Sequence, residues 1–290
     1  MPLFYSLAFS FFLNVSSSRI DRFLFSVLLS VYAKTKPNHL SDCLISIWDN
    51  QSLKPSQIVL VIDGPISDSL SNLIDLWNLK LHSLFDVILI PSNGGLASAL
   101  NVGLAHCKHE LVARMDTDDV STPYRFEKQI PFMISNPNVD VLSGFVEECT
   151  EDMSRVLTVR KLPVTHPHIL NFVKYRNPIS HPAVVYKKSV VLSVGGYPSI
   201  FPEDYPLWGM LLASGYCFAN LDCVLVRMRI EDSISSRRGV SFLFGQLHCF
   251  WLFRRIGLFG CFQLFLSSLV VIVLRCSPPC LRKFLYSYAR

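Results

Sequence analysis

The sequence predicts an α/β fold in which a mostly parallel central sheet is flanked by helices and followed by a hydrophobic helical region. Three observations support this prediction. Within residues 23–115, four short apolar runs alternate with segments of helical spacing. The runs are apolar almost throughout, as in strands that are covered on both faces. Beyond residue 240, a stretch rich in Phe, Leu and Trp leads into residues 258–274, which carry no charge.

Composition narrows the class of protein. The chain has 290 residues, of which 50% are hydrophobic and 17% charged, and its mean hydropathy is +0.36. Ordinary soluble domains carry about 25% charged residues, so these values indicate a part that contacts a membrane. The net charge of +5 suits an anionic substrate or an anionic lipid surface. The nine cysteines include no C-x-x-C pair, which argues against a zinc site and favours reduced thiols in a cytoplasmic protein.

The elements follow one another in βα order. We predict strands at residues 23–32, 57–62, 85–90 and 111–115, then 139–144, 183–186 and 224–230. We predict helices near residues 40–48, 67–81, 96–107 and 124–135, and another after residue 204. Strands that alternate with helices in this way form βαβ units, which build an open parallel sheet.

Polar residues stand just past four of these strands. They are Tyr32, Asp63, Asn93 and the pair Asp116 and Asp118. Each has an ordinary explanation, because a buried tyrosine can have a satisfied hydroxyl and Asp and Asn are common in turns. Ligands of open α/β sheets bind beyond the carboxyl ends of the strands, however. We therefore predict that these residues share one site.

The fourth strand runs into three carboxylates, Asp116, Asp118 and Asp119. Residues two apart in an extended chain lie on the same side, where like charges repel unless a cation is present. Mg²⁺ and Mn²⁺ prefer oxygen ligands of this kind together with substrate phosphates. The sequence thus predicts a metal that joins this loop to a diphosphate, and a solvated acidic turn before a helix is the alternative.

A second carboxylate pair, Glu203 and Asp204, precedes an apolar segment that contains Trp208. The pair could act as a general base toward an attacking hydroxyl. Alternatively, the carboxylates could simply stabilise the N-terminus of a helix. His181 lies in a proline-punctuated loop, where it is a candidate ligand or phosphate contact or a structural histidine.

The two ends of the chain differ from its middle. We divide the sequence into an apolar N-terminal extension (1–22), a central α/β domain (23–238) and membrane-associating C-terminal helices (239–290). Residues 1–15 lack a basic start and are too short to span a bilayer, so we read them as an extension, with a signal anchor as the alternative. For residues 258–274 we favour peripheral or shallow insertion over a crossing.

Five motifs together resemble family 2 glycosyltransferases of the GT-A fold, which is Rossmann-like. The nearest group comprises bacterial enzymes of O-antigen, capsule and exopolysaccharide synthesis, including the amylovoran type. The motifs are residues 26–32 (SVLLSVY), 59–64 (VLVIDG), 93–101 (NGGLASALN), 113–119 (ARMDTDD) and 203–208 (EDYPLW). Two positions depart from the family's pattern: Ala33 stands where the family usually has Asn, and Ile62 replaces the first Asp of a frequent Asp-Asp pair.

The resemblance implies a role for each matching position. Tyr32 and Asp63 would hold the uracil, and Asn93, Asn101 and Arg114 would contact the nucleotide, with His181 near the phosphates. In the family's DxD motif, Asp116 would contact the ribose or the metal and Asp118 would bind Mn²⁺ or Mg²⁺. Asp204 would be the general base, with Glu203 beside it.

The implied reaction is an inverting, metal-dependent transfer of one hexose. The donor would be UDP-glucose or UDP-galactose, and the acceptor GlcNAc or GalNAc on a polyprenyl diphosphate. This places the protein on the cytoplasmic face of the bacterial inner membrane, with a lipid surface as partner and no nucleic acid. A catalytically inactive nucleotide-binding scaffold is the main alternative. A nucleotidyltransferase is a weaker one, because residues 30–37 are not glycine-rich.

Overall fold

The computed structural model describes residues 23–230 and 240–276, so the N-terminal extension lies outside the described residues. The strands in this part of the chain are β1 (Phe25–Tyr32), β2 (Gln57–Asp63), β3 (Phe85–Ile90), β4 (Leu111–Arg114), β5 (Val120–Ser121), β6 (Val141–Cys149), β7 (Val156–Arg160), β8 (Val185–Lys187) and β9 (Phe218–Arg229). They form one sheet in the order β3-β2-β1-β4-β8-β6-β9-β5, with β7 paired to β6. Strands β1 to β4, β6 and β9 run in the same direction, so the sheet is mostly parallel, as predicted.

Helices flank this sheet. Their bounds are α1 (Pro37–Ile47), α2 (Asp68–Leu81), α3 (Leu96–His106), α4 (Arg125–Ser135), α5 (His166–Phe172), α6 (Lys188–Ser193), α7 (Asp204–Ala213), α8 (Val240–Arg255) and α9 (Cys261–Cys276). The short elements β5, β7, α5 and α6 were not expected from the sequence. Strand β6 also runs five residues beyond its predicted end at 144, and β9 begins six residues before its predicted start at 224.

Strand β1 explains why the predicted strands read as unbroken apolar runs. Phe25, Val27, Leu29 and Val31 point into a core shared with α1, α2 and α4. Leu28 points the other way, into a core shared with α3, α7 and α8. Side chains alternate along a strand, so a strand needs apolar residues at every position only if both sheet faces are covered.

The C-terminal helices pack on the same body. Phe250 and Phe253 of α8 are fully buried, and both rings pack edge-on against Tyr205 at the start of α7. The helices approach closely because α7 has Gly209, where a Cβ atom would lie 1.9 Å from the Phe253 ring. Among the described helices, none combines the length and apolarity needed to cross a bilayer. The proposed division at residues 22 and 238 stays a prediction.

Candidate functional site

The strand ends place the first group of polar residues at one sheet edge. Strands β1, β2 and β3 are parallel, and Tyr32 is the register partner of Asp63. Tyr32 is exposed at the end of β1, whereas Asp63 is buried. Ile62, which stands where the family often has a second Asp, faces the core. An exposed ring beside a buried carboxylate is an arrangement that can hold a planar base with a hydrogen-bond donor.

Asp63 organises the loop that follows β3. Its carboxylate accepts hydrogen bonds from the backbone N–H groups of Gly94 at 2.7 Å and Gly95 at 3.0 Å. The side chain of Asn93 donates to the backbone oxygen of Asp63 at 3.1 Å. Gly95 has a φ of +83°, which residues with a side chain rarely adopt. The Gly94-Gly95 pair therefore lets the loop fold onto Asp63 at the start of α3.

Asn101 uses both ends of its amide on the main chain of Tyr197. Its Nδ2 donates to the Tyr197 oxygen at 2.8 Å, and its Oδ1 accepts from the Tyr197 N–H at 2.7 Å. This pair of bonds fixes the turn that carries Tyr197 into the site. The structure thus gives Asn101 a positioning role, and its predicted contact with the nucleotide stays a prediction.

Arg114, which is buried, and Asp116, which is half-buried, form an ion pair at the end of β4. The guanidinium is 2% exposed and donates to both carboxylate oxygens of Asp116, with one bond of 2.6 Å. Burial disfavours the cation, but Asp116 outweighs this effect and raises the pKa of Arg114. Arg114 therefore stays charged and holds Asp116 in one orientation.

The next turn brings three carboxylates together. Oxygen atoms of Asp116, Asp118 and Asp119 lie within 4.8 Å of one another. One oxygen of Asp119 is buried and has no hydrogen-bond partner among the described residues. Burial raises the pKa of Asp119 well above its ordinary value, and Asp118 and Asp116 raise it further. Crowded carboxylates with an unsatisfied oxygen are the donor set that Mg²⁺ or Mn²⁺ would stabilise, so the residues fit a metal.

Arg229, at the end of β9, fastens this loop to the rest of the fold. Its backbone N–H donates to the carboxylate oxygen Oδ1 of Asp119 at 2.9 Å. Its guanidinium donates to the backbone oxygen of Asp118, also at 2.9 Å. The same guanidinium donates to the Glu151 oxygen at 2.9 Å and pairs with Asp42 of α1. Arg229 thus links β9 to the acidic turn, to the loop after β6 and to helix α1.

We predict that Arg229→Met will weaken metal binding about tenfold to hundredfold, the usual effect of removing a group that orients a metal ligand. The substitution keeps an unbranched apolar stem but removes the donors that fix the Asp118 backbone. Calorimetric titration of Mn²⁺ in the presence of UDP measures the effect directly. Arg229→Lys, which can restore one of the bonds, should recover part of the affinity.

Arg227→Met is the matched control for this prediction. Arg227 lies two residues earlier on β9, and its guanidinium is engaged elsewhere. It pairs with Glu147 at 3.4 Å and donates to the Met153 backbone oxygen at 2.9 Å. Its replacement should leave the affinity for Mn²⁺ unchanged. Equal metal affinities of Arg229→Met and the unsubstituted protein, at an unchanged melting temperature, would contradict the positioning role of Arg229.

The second carboxylate pair lies at the start of α7. Asp204 accepts from Asn177 Nδ2 at 2.6 Å and from the Tyr205 N–H at 2.8 Å. Burial raises the pKa of Asp204, and these hydrogen bonds oppose the shift. Burial and the neighbouring Asp204 raise the pKa of Glu203 to about 7. Two carboxyls with raised pKa values at a helix N-terminus are suited to accepting a proton near neutral pH.

His181 and Arg114 join the two clusters. His181 Nε2 lies 3.1 Å from the Tyr197 hydroxyl, and its Nδ1 lies 3.9 Å from Glu203. Burial and the nearby Arg114 lower the pKa of His181 well below its ordinary value, so the ring is neutral. Arg114 also lowers the pKa values of Glu203 and Asp204, although burial has the larger, opposite effect. The acidic turn and the pair Glu203 and Asp204 therefore both lie within electrostatic reach of the Arg114 guanidinium.

The raised pKa of Glu203 predicts a stability effect of Glu203→Gln. The folded protein holds the Glu203 proton more tightly than the unfolded chain, so ionisation destabilises the fold as pH rises from about 4.5 to about 7. A glutamine resembles the protonated form. We expect Glu203→Gln to raise the free energy of unfolding by about 2–3 kcal/mol at pH 8 and by much less at pH 5. Melting temperatures at the two pH values test this.

Glu127→Gln provides the control for that measurement, because Glu127 is an exposed carboxylate on α4. Its replacement should change stability little at either pH. The same small change for Glu203→Gln at pH 8 would contradict the burial of an ionisable Glu203.

Sequence reasoning missed three residues of this site: Asn177, Tyr197 and Arg229. Asn177 and Arg229 act on Asp204 and on the acidic turn from 27 and 110 residues away along the chain. A single sequence carries no local signal for such contacts. The only available sign was the position of Asn177 in the same polar loop as His181.

Known proteins resemble this chain in sequence and in fold. Residues 26–191 match the model of "Glycosyl transferase family 2". The amylovoran biosynthesis glycosyltransferase AmsE of Erwinia amylovora is 37% identical over 92% of this chain and 99% of its own length. An Escherichia coli UDP-Gal:alpha-D-GlcNAc-diphosphoundecaprenol beta-1,3-galactosyltransferase is 34% identical over 90% of this chain and 94% of its own length.

Two solved structures share the fold at lower identity. Staphylococcus aureus TarS in complex with UDP-GlcNAc superposes with a TM-score of 0.64 at 16% identity, over 86% of this chain and 72% of its own. The mannosyltransferase PcManGT of Pyrobaculum calidifontis, in complex with GDP-Man and Mn²⁺, gives a TM-score of 0.60 at 14% identity, over 91% and 79%. These likenesses confirm the GT-A fold. With the family match and the identities above, they show that the chain is a glycosyltransferase and belongs to glycosyltransferase family 2.

Proposed function

We propose that the protein transfers one hexose from a UDP-hexose to a hydroxyl of a lipid-diphosphate-linked sugar during synthesis of a bacterial surface polysaccharide. The observation that carries the proposal is the pairing of the acidic turn at 116–119 with the partly buried carboxylates Glu203 and Asp204, both within electrostatic reach of Arg114. A group transfer from a diphosphate needs a cationic site for the leaving group and a base for the attacking group. The two clusters supply these two functions.

The donor would bind along the edge formed by β1, β2 and β3. We propose that Tyr32 stacks on the uracil and that Asp63 accepts its N–H, as the family pattern implies. Asn93 would extend this contact toward the nucleotide, and His181 would lie near the phosphates. Asp116, oriented by Arg114, is suited to the ribose hydroxyls or to the metal.

Mn²⁺ or Mg²⁺ held by Asp118, with Asp116 beside it, would neutralise the charge on the departing UDP. Asp204 would accept the proton of the acceptor hydroxyl while the oxygen of that hydroxyl attacks C1 of the hexose. The bond between C1 and the UDP oxygen breaks as the new glycosidic bond forms, and the electron pair leaves with UDP. A single displacement of this kind inverts the configuration at C1.

The acceptor we favour is GlcNAc or GalNAc on a polyprenyl diphosphate, and the donor is UDP-galactose or UDP-glucose. The E. coli relative supports this choice, because its name describes galactosyl transfer to a GlcNAc-diphospholipid and its similarity extends over most of both chains. The Erwinia relative, which is named for amylovoran synthesis, supports a surface polysaccharide as the product. Such an acceptor would place the enzyme on the cytoplasmic face of the inner membrane.

The test is release of UDP from a panel of UDP-sugars, with synthetic GlcNAc-diphosphate and GalNAc-diphosphate lipids as acceptors, in Mn²⁺ and in EDTA. We expect acceptor-dependent release from one donor that stops in EDTA, and proton NMR of the product should show an inverted anomeric centre. UDP binding without turnover on the GlcNAc or GalNAc acceptor would contradict this acceptor class and favour a scaffold. Failure to bind any nucleotide would contradict the site.

A further inference from the structure

Helix α9 is apolar on two opposite faces. Its inner face packs Leu264 and Val271 into the core, and Ser267 donates to the Lys174 oxygen at 2.9 Å. Its outer face carries Phe262 and Phe265, which are 77% and 66% exposed. A helix that is apolar all round normally has partners on all sides. The outer face therefore lacks its cover within the described part of the chain.

Helix α8 continues this apolar surface with a stripe of aromatic and basic residues. Phe244 and Trp251 are 65% and 50% exposed and lie on the side opposite the buried Phe250 and Phe253. The Arg255 guanidinium lies over the Trp251 ring at 4.8 Å from its centroid. Both helices bury their inner faces in the same core, so their outer faces both point away from the body.

We propose that this outer surface docks on an anionic phospholipid bilayer. We call it the docking face and define it by Phe244, Trp251, Arg255, Phe262, Phe265 and Leu269. It would lie in the headgroup region with its aromatic rings in the acyl boundary, as amphipathic interfacial helices do.

Charge selects the bilayer over a second copy of the chain. Residues 240–276 contain no Asp or Glu but include Arg254, Arg255 and Arg275. Anionic lipid headgroups attract a segment that carries only positive charges. A symmetric dimer through the docking face would bring Arg254 and Arg255 of both copies together with no acidic residue from 240–276 to pair with them.

Helix α8, which carries part of the docking face, contacts the segment just before Asp204, the proposed base. A Cβ atom at Gly245 of α8 would lie 2.0 Å from the oxygen of Phe201, and the ring of Phe201 packs edge-on against Phe242 at 5.5 Å. Phe201 lies two residues before Glu203. Docking would therefore set the distance of α7 from the membrane. This consequence for a lipid-linked acceptor rests on the proposed function, whereas docking itself does not.

Co-sedimentation of the full chain with vesicles tests the proposal. The probes are phosphatidylcholine vesicles with and without phosphatidylglycerol. We expect binding to the anionic vesicles, weakened at least tenfold in the double variant Phe262→Glu and Phe265→Glu. Replacing Arg254 and Arg255 by Gln should remove the preference for phosphatidylglycerol.

The matched control replaces Leu76 and Leu79 by Glu, because these leucines of α2 are 64% and 69% exposed on another surface. Their replacement should leave vesicle binding unchanged. Equal binding by the Phe262 and Phe265 variant would overturn the proposal. So would dimerisation by light scattering that the variant abolishes without a change in vesicle binding.

The outcome separates docking from catalysis. Transfer to a short-chain, water-soluble acceptor should be the same in the docking variant and the unsubstituted protein. Vesicle binding with no transfer to any acceptor would leave docking intact and reject the proposed reaction. Transfer to the soluble acceptor without vesicle binding would reject docking alone.

Discussion

Asp118→Asn is expected to lower kcat/KM for the sugar transfer by about a thousandfold or more, because the site would lose a charged metal ligand that stabilises the leaving diphosphate. The side chain keeps its size, so the acidic turn should keep its shape through Arg229. Stability without metal should rise slightly, since Asp118 and Asp116 raise the pKa of Asp119 by repulsion. Metal-dependent UDP release and the melting temperature in EDTA measure the two effects.

Two further variants serve as a control and a comparison for Asp118→Asn. Asp222→Asn changes an exposed aspartate of β9 and should leave turnover and Mn²⁺ dependence unchanged. Asp116→Asn should also lower activity, but it leaves the buried Arg114 guanidinium without its ion pair and should lower the melting temperature. Full activity of Asp118→Asn in limiting Mn²⁺ would show that Asp118 is not a metal ligand.

Asp204→Asn is expected to lower kcat by about a thousandfold to ten-thousandfold, because an amide cannot accept the acceptor's proton. The new amide keeps one carbonyl oxygen that can still accept from Asn177 Nδ2, so the start of α7 should stay ordered. UDP-sugar binding, measured by calorimetry, should change little. The loss should therefore fall on turnover.

Replacing the neighbouring carboxyl, Glu203, tests which residue of the pair accepts the proton. Glu203→Gln should lower kcat by less than about tenfold, since it removes a charge beside the base and leaves the base itself. The reverse order of the two losses would assign proton transfer to Glu203. Activity of the unsubstituted protein should fall as pH drops through the pKa of Asp204, which burial raises above its ordinary value.

Local pattern was sufficient for much of the fold. The four parallel strands β1 to β4 lie within about two residues of their predicted bounds. Strands β1 and β2 are covered on both faces, so they must be apolar along almost their whole length. Strand β7 shows why other elements were missed. It has only five residues, VLTVR, and most of them are exposed, so burial does not impose the longer apolar run that marks β1 and β2. Strand β5 has two residues and exists only by pairing with β9.

The same division applies to the site. Asp63 and Asp118 could be selected from the sequence because each follows a strand, and parallel strands end at the same sheet edge. Asn101 is different. It stands in a motif that suggested a nucleotide contact, but the fold brings it to the main chain of Tyr197, 96 residues further on.

The sequence by itself determined the α/β class, the strand ends that face the ligand edge and the two carboxylate pairs, because each depends on residues close together in the chain. Only the tertiary structure decided that Arg114, which binds Asp116, lies within electrostatic reach of Glu203 and Asp204. It also decided that Arg229 holds the acidic turn in place and that α8 packs on α7. These contacts join segments that are far apart in sequence. Their energies depend on burial and distance, which exist only once the chain has folded.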